Sequence, residues 1–232
     1  MLCDIRERMI RVFILLTSVW MLFAAGDASA GPPTDQVRGS VDRVLKILSD
    51  AELKKEAKTG ERREMIRTVA NEIFDFTEIS QRSLARHWTG RTPAERQEFI
   101  LLFGDLLEHS YITKIETYSG EKIQYAGEVP DGDQAVVKTR IVTKQGIEIP
   151  VDYRMFLKAD RWRAYDVNIE GVSLVSNYRT QFNTVIQRAG YPDLVTKLKA
   201  KQAERPGPRE AGRPEAVTAP PTPAPRPGLQ TP

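Results

Sequence analysis

Cysteine is almost missing from this chain: the single one, Cys3, lies at the very start, ahead of an apolar run. Everything after it can form no disulfide, offers no thiolate nucleophile and supplies no Cys ligand to a metal. Histidine is nearly as scarce. His87 and His109 stand apart, without H-x-x-x-H spacing or an acidic pair nearby, so no metal site is expected. No G-x-S-x-G, Walker-type or G-x-G-x-x-G sequence occurs, which removes local support for triad hydrolysis and nucleotide binding. Charge of one sign is also lacking: 34 Lys and Arg face 31 Asp and Glu, a net +3. The two signs are interspersed, and no basic stripe with interleaved aromatics is present, so nucleic acid is not an expected partner.

Long apolar runs are absent with one exception. Val12 to Ala25 is apolar apart from Thr17 and Ser18, follows Arg6, Arg8 and Arg11, and precedes Ala28-Ser29-Ala30. A positive region, a short apolar stretch and a small-residue cleavage site form a secretory signal. The stretch is short for a membrane span, which takes roughly 20 apolar residues. Residues 1–30 are therefore expected to be a signal peptide, cut after Ala30, and the mature protein to be exported. At the other end, residues 203–232 contain nine prolines and no aromatic residue. Such a segment cannot bury enough apolar surface to offset its ordering entropy, so a disordered tail is expected.

What remains is a helical half followed by a strand half. Val37, Val41, Val44, Leu45 and Leu48 make one helical stripe, and Met65, Ile66, Val69, Ile73 and Phe74 another. Thr77 to Ala85 predicts a short third helix. Thr92-Pro93-Ala94-Glu95 is a capping box with proline at the first helical position, and helix is expected from there to about Tyr118. This long helix is apolar on most sides and should be covered on most sides, between a sheet and other helices. The period then changes to two. Strands are expected at Glu121–Glu128, Gln134–Thr143, Ile147–Leu157 and Trp162–Ile169, joined by Asp131-Gly132, Gln145-Gly146 and Ala159-Asp160. Short links imply an antiparallel meander. Pro150 suggests that the third strand is an edge or carries a bulge. Helices from about Val172 to Ala189 and from Pro192 to Lys201 complete the pattern. The fold class is α+β: a curved antiparallel four-stranded sheet packed against a set of helices, with a hydrophobic cleft between them.

Trp162 to Arg179 is the most informative stretch. It reads as a strand, a Glu170-Gly171 turn and an amphipathic helix carrying Leu174, Tyr178, Phe182, Val185 and Ile186 on one face. Asp166 within it admits two readings. A carboxylate in a curved-sheet cone could serve as a general base, as in an NTF2-like or steroid-isomerase-like enzyme, an analogy of scaffold only. The other reading pairs it with a neighbouring arginine or has it cap the turn near Gly171. The second is preferred, and an enzyme is not expected.

The same stretch, Trp162-x-Ala164-Tyr165-Asp166 followed by Glu170-Gly171-Val172-Ser173, resembles the MlaC family of phospholipid-binding proteins. Tyr178-Arg179-x-Gln181-Phe182, Gly190-Tyr191-x-x-Leu194-x-x-x-Leu198-x-x-Lys201 and, upstream, Thr77, Ile79, Trp88, Thr92, Phe99, Phe103 and Tyr111 fall in the family's order. The resemblance covers about residues 36–201 and implies a lipid-binding domain at 31–202. It implies a soluble periplasmic carrier that binds phospholipid acyl chains and shuttles lipid between the outer membrane and an inner-membrane ABC transporter. An outer-membrane lipid complex and that transporter are then transient partners of a monomer without cofactor. A hopanoid or other polycyclic lipid is the alternative ligand. The lining is expected from Leu102, Phe103, Leu106, Tyr111, Ile141, Val151, Tyr153, Met155, Val167, Ile169, Tyr178 and Phe182, on pattern and likeness together.

Overall fold

The computed structural model describes residues 31–204. The expected signal segment, Cys3 and all but the first two residues of the proline-rich tail lie outside the described residues.

Three helices come first: α1 (Pro32–Ser49), α2 (Thr59–Ile73) and α3 (Phe76–Leu84). The long α4 (Pro93–Glu116) starts as its sequence dictates. Thr92 Oγ1 accepts from the Glu95 amide at 3.2 Å, Glu95 accepts from the Thr92 amide at 2.8 Å, and Pro93 fills the first helical position. The strands follow as β1 (Lys122–Asp131), β2 (Gln134–Val142), β3 (Glu148–Lys158) and β4 (Arg161–Ile169), then β5 (Val172–Ser173). Helices α5 (Leu174–Ala189) and α6 (Tyr191–Ala203) close the described chain.

The sheet is an antiparallel meander in the order β1-β2-β3-β4-β5. It has five strands where four were expected. The addition is small: after a turn with positive φ at Glu170 and Gly171, Val172 and Ser173 pair back onto Ile169 and Asn168. Ser173 then accepts from the Ser176 amide at 3.0 Å, which starts α5 at Leu174 rather than Val172. Pro150 is not on an edge strand and not at a bulge, because β3 runs between β2 and β4. It is tolerated because β4 has ended at its level: the ladder to β4 begins at Val151↔Ile169, and the Pro150 carbonyl accepts from the Glu170 amide at 3.0 Å.

Two bulges curl the sheet. One lies between Tyr125 and Gly127 in β1, with Gly127 at φ +121°. The other lies in β4, where Arg154 faces Asp166 but Met155 faces Ala164, leaving Tyr165 as the extra residue.

The core is in three parts. Val37 of α1 and Ile73 of α2 cover Val137, Met155 and Ala164 of the sheet. Ile79, Leu84, Trp88, Phe99, Phe103, Val175, Phe182, Leu194 and Leu198 join α3, α4, α5 and α6. Ile47, Leu48, Ile66, Val69 and Ile112 join α1 and α2 to the far half of α4. The long helix thus packs chiefly on other helices and is less enclosed than its composition suggests, since Leu101 remains 60% exposed.

Candidate functional site

Register places the inward side chains of the sheet in rows. Ala135, Met155 and Ala164 form one row; Val137, Tyr153 and Val167 the next; Tyr125, Thr139, Val151 and Ile169 a third; and Ile123, Ile141 and Ile149 the last. The first row is sealed by α1 and α2, with Met155 and Ala164 both 0% exposed. Further along, the cover thins. Tyr153, Val167, Ile169, Ile141, Ile149 and Ile123 share the face of Met155, yet each keeps accessible surface. Apolar side chains on the inner face of a curled sheet are normally closed over, because each exposed Å² of apolar surface costs about 25 cal/mol. Here Val137, Thr139 and Val151 are closed over, but the six side chains around them are not fully covered.

Tyr153 makes the point most clearly. It sits so deep that burial pushes its phenol up to about 12, and it still retains accessible surface. Tyr125 lies near. Its phenol is also pushed up to about 12, first by burial, then by Asp42 and by Tyr153, with Arg38 opposing.

A second set of apolar groups stands on the helices. Leu106 and Tyr111 of α4, with Leu174 and Tyr178 of α5, border the helical cluster and are only partly buried. Burial pushes the Tyr111 phenol up, and the neighbouring Tyr178 adds to this. Behind them Leu102, Phe103 and Phe182 are closely packed: ring centroids are 5.0 Å apart for Phe103–Phe182 and 5.6 Å for Phe99–Phe103. Of the twelve residues expected to line a cleft, Ile141, Val151, Tyr153, Met155, Val167 and Ile169 therefore share one face of the sheet. Leu102, Phe103, Leu106, Tyr111, Tyr178 and Phe182 share one helical cluster. Ile123, Tyr125 and Ile149 belong to the open face as well, and sequence reasoning passed over them. Alternation along β1 could have supplied Ile123 and Tyr125.

Buried carboxylates hold the corners of this arrangement. Asp166, 4% exposed, accepts from Ser173 Oγ at 2.6 Å and from the Val175 amide at 3.0 Å, and Arg154 stands at 3.8 Å. Both its oxygens are engaged in fixing the start of α5, the capping role expected of it. Asp75, 5% exposed, accepts from the Glu78 amide at 2.9 Å and pairs with Lys158 at 2.6 Å, tying α3 to the β3–β4 hairpin. Glu128, turned inward by the Gly127 bulge, accepts from Thr34 Oγ1 at 2.7 Å and the Thr34 amide at 3.1 Å, at the start of α1. Between α2 and α4, Arg62 and Arg63 share Glu116 at 2.6 and 2.7 Å, and Arg67 meets Glu108 at 2.7 Å.

Two hollows share no lining residue with the apolar face of the sheet. One of about 290 Å³ is lined by Leu84, Ala85, Arg86, His87, Arg179, Thr180 and Asn183; one of about 230 Å³ is lined by Asp75, Lys158, Ala159, Arg161 and Arg163. Among the described residues no group of three or more His, Cys, Asp or Glu could hold a metal ion. No described helix is long and apolar enough to cross a membrane.

Comparison with known proteins gives consistent matches. The family model described as MlaC protein matches residues 38–200. The intermembrane phospholipid transport system binding protein MlaC of Haemophilus influenzae is 23% identical over 144 residues, 59% of this chain and 67% of that protein. The toluene tolerance protein ttg2D of Pseudomonas putida is 22% identical over 181 residues, covering 77% and 82% of the two chains. Among solved structures, a phospholipid-binding protein from Ralstonia solanacearum in complex with a phospholipid superposes with a TM-score of 0.66. It is 26% identical, and the match covers 75% of this chain and 98% of that one.

Proposed function

Because the chain belongs to the MlaC family, we propose that it is a phospholipid-binding transport protein that carries lipid through the periplasm. It would be exported by the segment 1–30 and act through the domain at 31–202, with the proline-rich residues 203–232 outside that domain. It would exchange lipid transiently with an outer-membrane lipid complex and an inner-membrane ABC transporter. The observation that carries this reading is the unclosed apolar face of the sheet around Tyr153, Val167 and Ile169. The acyl chains lie between that face and the partly accessible Leu106, Tyr111, Leu174 and Tyr178 of α4 and α5. The chemistry is physical rather than covalent. Two acyl chains hold roughly 30 methylenes at about 0.8 kcal/mol each, so a free lipid in water pays on the order of 20 kcal/mol. A dry cleft removes most of that penalty and needs no catalyst. The Ralstonia relative, which holds a phospholipid, supports the same reading.

The test is extraction and mass measurement of lipid carried by the purified protein, with uptake from phospholipid vesicles as a second arm. Diacyl phospholipid at about one per protein is expected. Protein that is lipid-free after purification and takes up nothing from vesicles contradicts the proposal, and a polycyclic lipid in the extract changes the cargo.

A further inference from the structure

One polar group in the apolar wall has no partner. The Tyr125 hydroxyl is buried and makes no hydrogen bond among the described residues. Phenol hydroxyls removed from water nearly always find a partner, because a buried unsatisfied donor costs about as much as a lost hydrogen bond. Thr139, beside Tyr125 in the same row, follows that rule and donates to the Val151 carbonyl at 2.7 Å. Tyr153, one row along on β3, is shifted by burial alone with no hydrogen-bond contribution, and unlike Tyr125 it keeps accessible surface on the open face. Tyr153 adds to the upward push that burial gives the Tyr125 phenol. On the solvent side the Arg38 guanidinium lies 4.6 Å from the centre of the Tyr125 ring, and Arg38 is half exposed. A cation over one phenol ring, that ring's orphan hydroxyl and a second phenol on the same apolar face therefore lie on neighbouring rows.

We propose that Tyr125 and Tyr153 are a donor pair for the ester carbonyls of a diacyl lipid, with the polar end of the lipid leaving beside Arg38 between α1 and β1. This rests on the reading of the chain as a phospholipid carrier and adds orientation and selectivity to it. An ester carbonyl accepts a hydrogen bond in an otherwise greasy wall, where an ether oxygen accepts poorly and a hydrocarbon not at all. The phenols therefore select ester-linked lipids and set which part of the cargo stands at β1.

The experiment loads the full-length purified protein from vesicles of two phosphatidylcholines, diacyl and dialkyl, with matched chain lengths, and compares wild type with Tyr125→Phe, Tyr153→Phe and the double variant. The phenylalanines keep the ring and remove only the hydroxyl, and thermal unfolding checks that each variant is folded. Wild type is expected to favour the diacyl lipid by on the order of tenfold, the size of one buried hydrogen bond left unmade. The preference should shrink in each single variant and vanish in the double. With isotope-labelled carbonyls, the infrared ester band of bound lipid should shift to lower frequency in wild type and lose that shift in the double variant. Equal loading of both lipids by wild type overturns the donor pair while leaving the carrier role intact, as does a preference that survives in the double variant. Failure to load either lipid overturns the carrier role and this proposal with it.

Discussion

Asp166 accepts a hydrogen bond from the Val175 amide at 3.0 Å, across the turn that joins the last long strand to α5. The Ser173 hydroxyl on its other oxygen, at 2.6 Å, makes the pair a double clamp on a helix start. Loss of a helix cap costs about 1 kcal/mol, and an amide left buried without a partner about 1–3 more. Asp166→Ala should therefore lower unfolding free energy by about 2–4 kcal/mol in urea titrations. Lipid loading per folded molecule should change little, because the carboxylate faces the helix start.

Acid stability should depend on two other carboxylates. Burial pushes the Asp75 carboxyl up, but Lys158 and the Glu78 amide outweigh it and hold the group below its ordinary 3.8. Burial likewise acts upward on Glu116, and Arg63 and Arg62 together hold it below its ordinary 4.5. Both folded-state values lie below the unfolded ones. The stability they contribute is complete above those ordinary values and is lost as pH falls through the depressed folded values. Between pH 6 and pH 3 the urea midpoint of the wild type should fall steeply. The double variant Asp75→Asn, Glu116→Gln should start lower at pH 6 and fall less.

Phe103 is expected to be structural. It is 0% exposed and touches Phe99, Tyr178 and Phe182 edge-on or tilted. Phe103→Ala should cost about 3–5 kcal/mol of stability, read by thermal or chemical unfolding. Any loss of lipid loading should follow the loss of folded protein.

Val167 is expected to behave the opposite way. It shares a row with Val137 and Tyr153 but keeps accessible surface. Val167→Trp should cover the exposed face beside Tyr153, change stability by about 1 kcal/mol or less, and reduce vesicle-derived lipid per folded protein severalfold.

The contrast between these residues marks where the sequence stops being legible. Helix spans followed from period and caps: Thr92 and Glu95 announce α4 whatever packs on it. Four strands followed from alternation and turn residues. The fifth is two residues long, too short for any period, and it exists because of the turn at Glu170 and Gly171. Pro150 misled because a proline in an inner strand is tolerated where the neighbouring strand ends, and strand ends are a tertiary fact. The bulge at Gly127 turns Glu128 toward Thr34, which alternation alone places on the other face. As for the lining, Met155 and Tyr153 sit two residues apart on one face, and Phe103 and Leu106 one turn apart on one helix. Composition makes all four core. Tertiary packing alone decides which are sealed: α1 and α2 close over Met155; Tyr178 and Phe182 of α5 close over Phe103; Tyr153 and Leu106 stay partly open.

The most direct test of the account is photo-crosslinking with a phospholipid carrying a diazirine midway along one acyl chain, loaded from vesicles and mapped by peptide mass spectrometry. Label is expected in two places at once: on β3–β4 around Tyr153, Val167 and Ile169, and on α4–α5 around Leu106, Tyr111, Leu174 and Tyr178. Label confined to the hollows at Arg86–Asn183 or Lys158–Arg163, with neither wall touched, would contradict it.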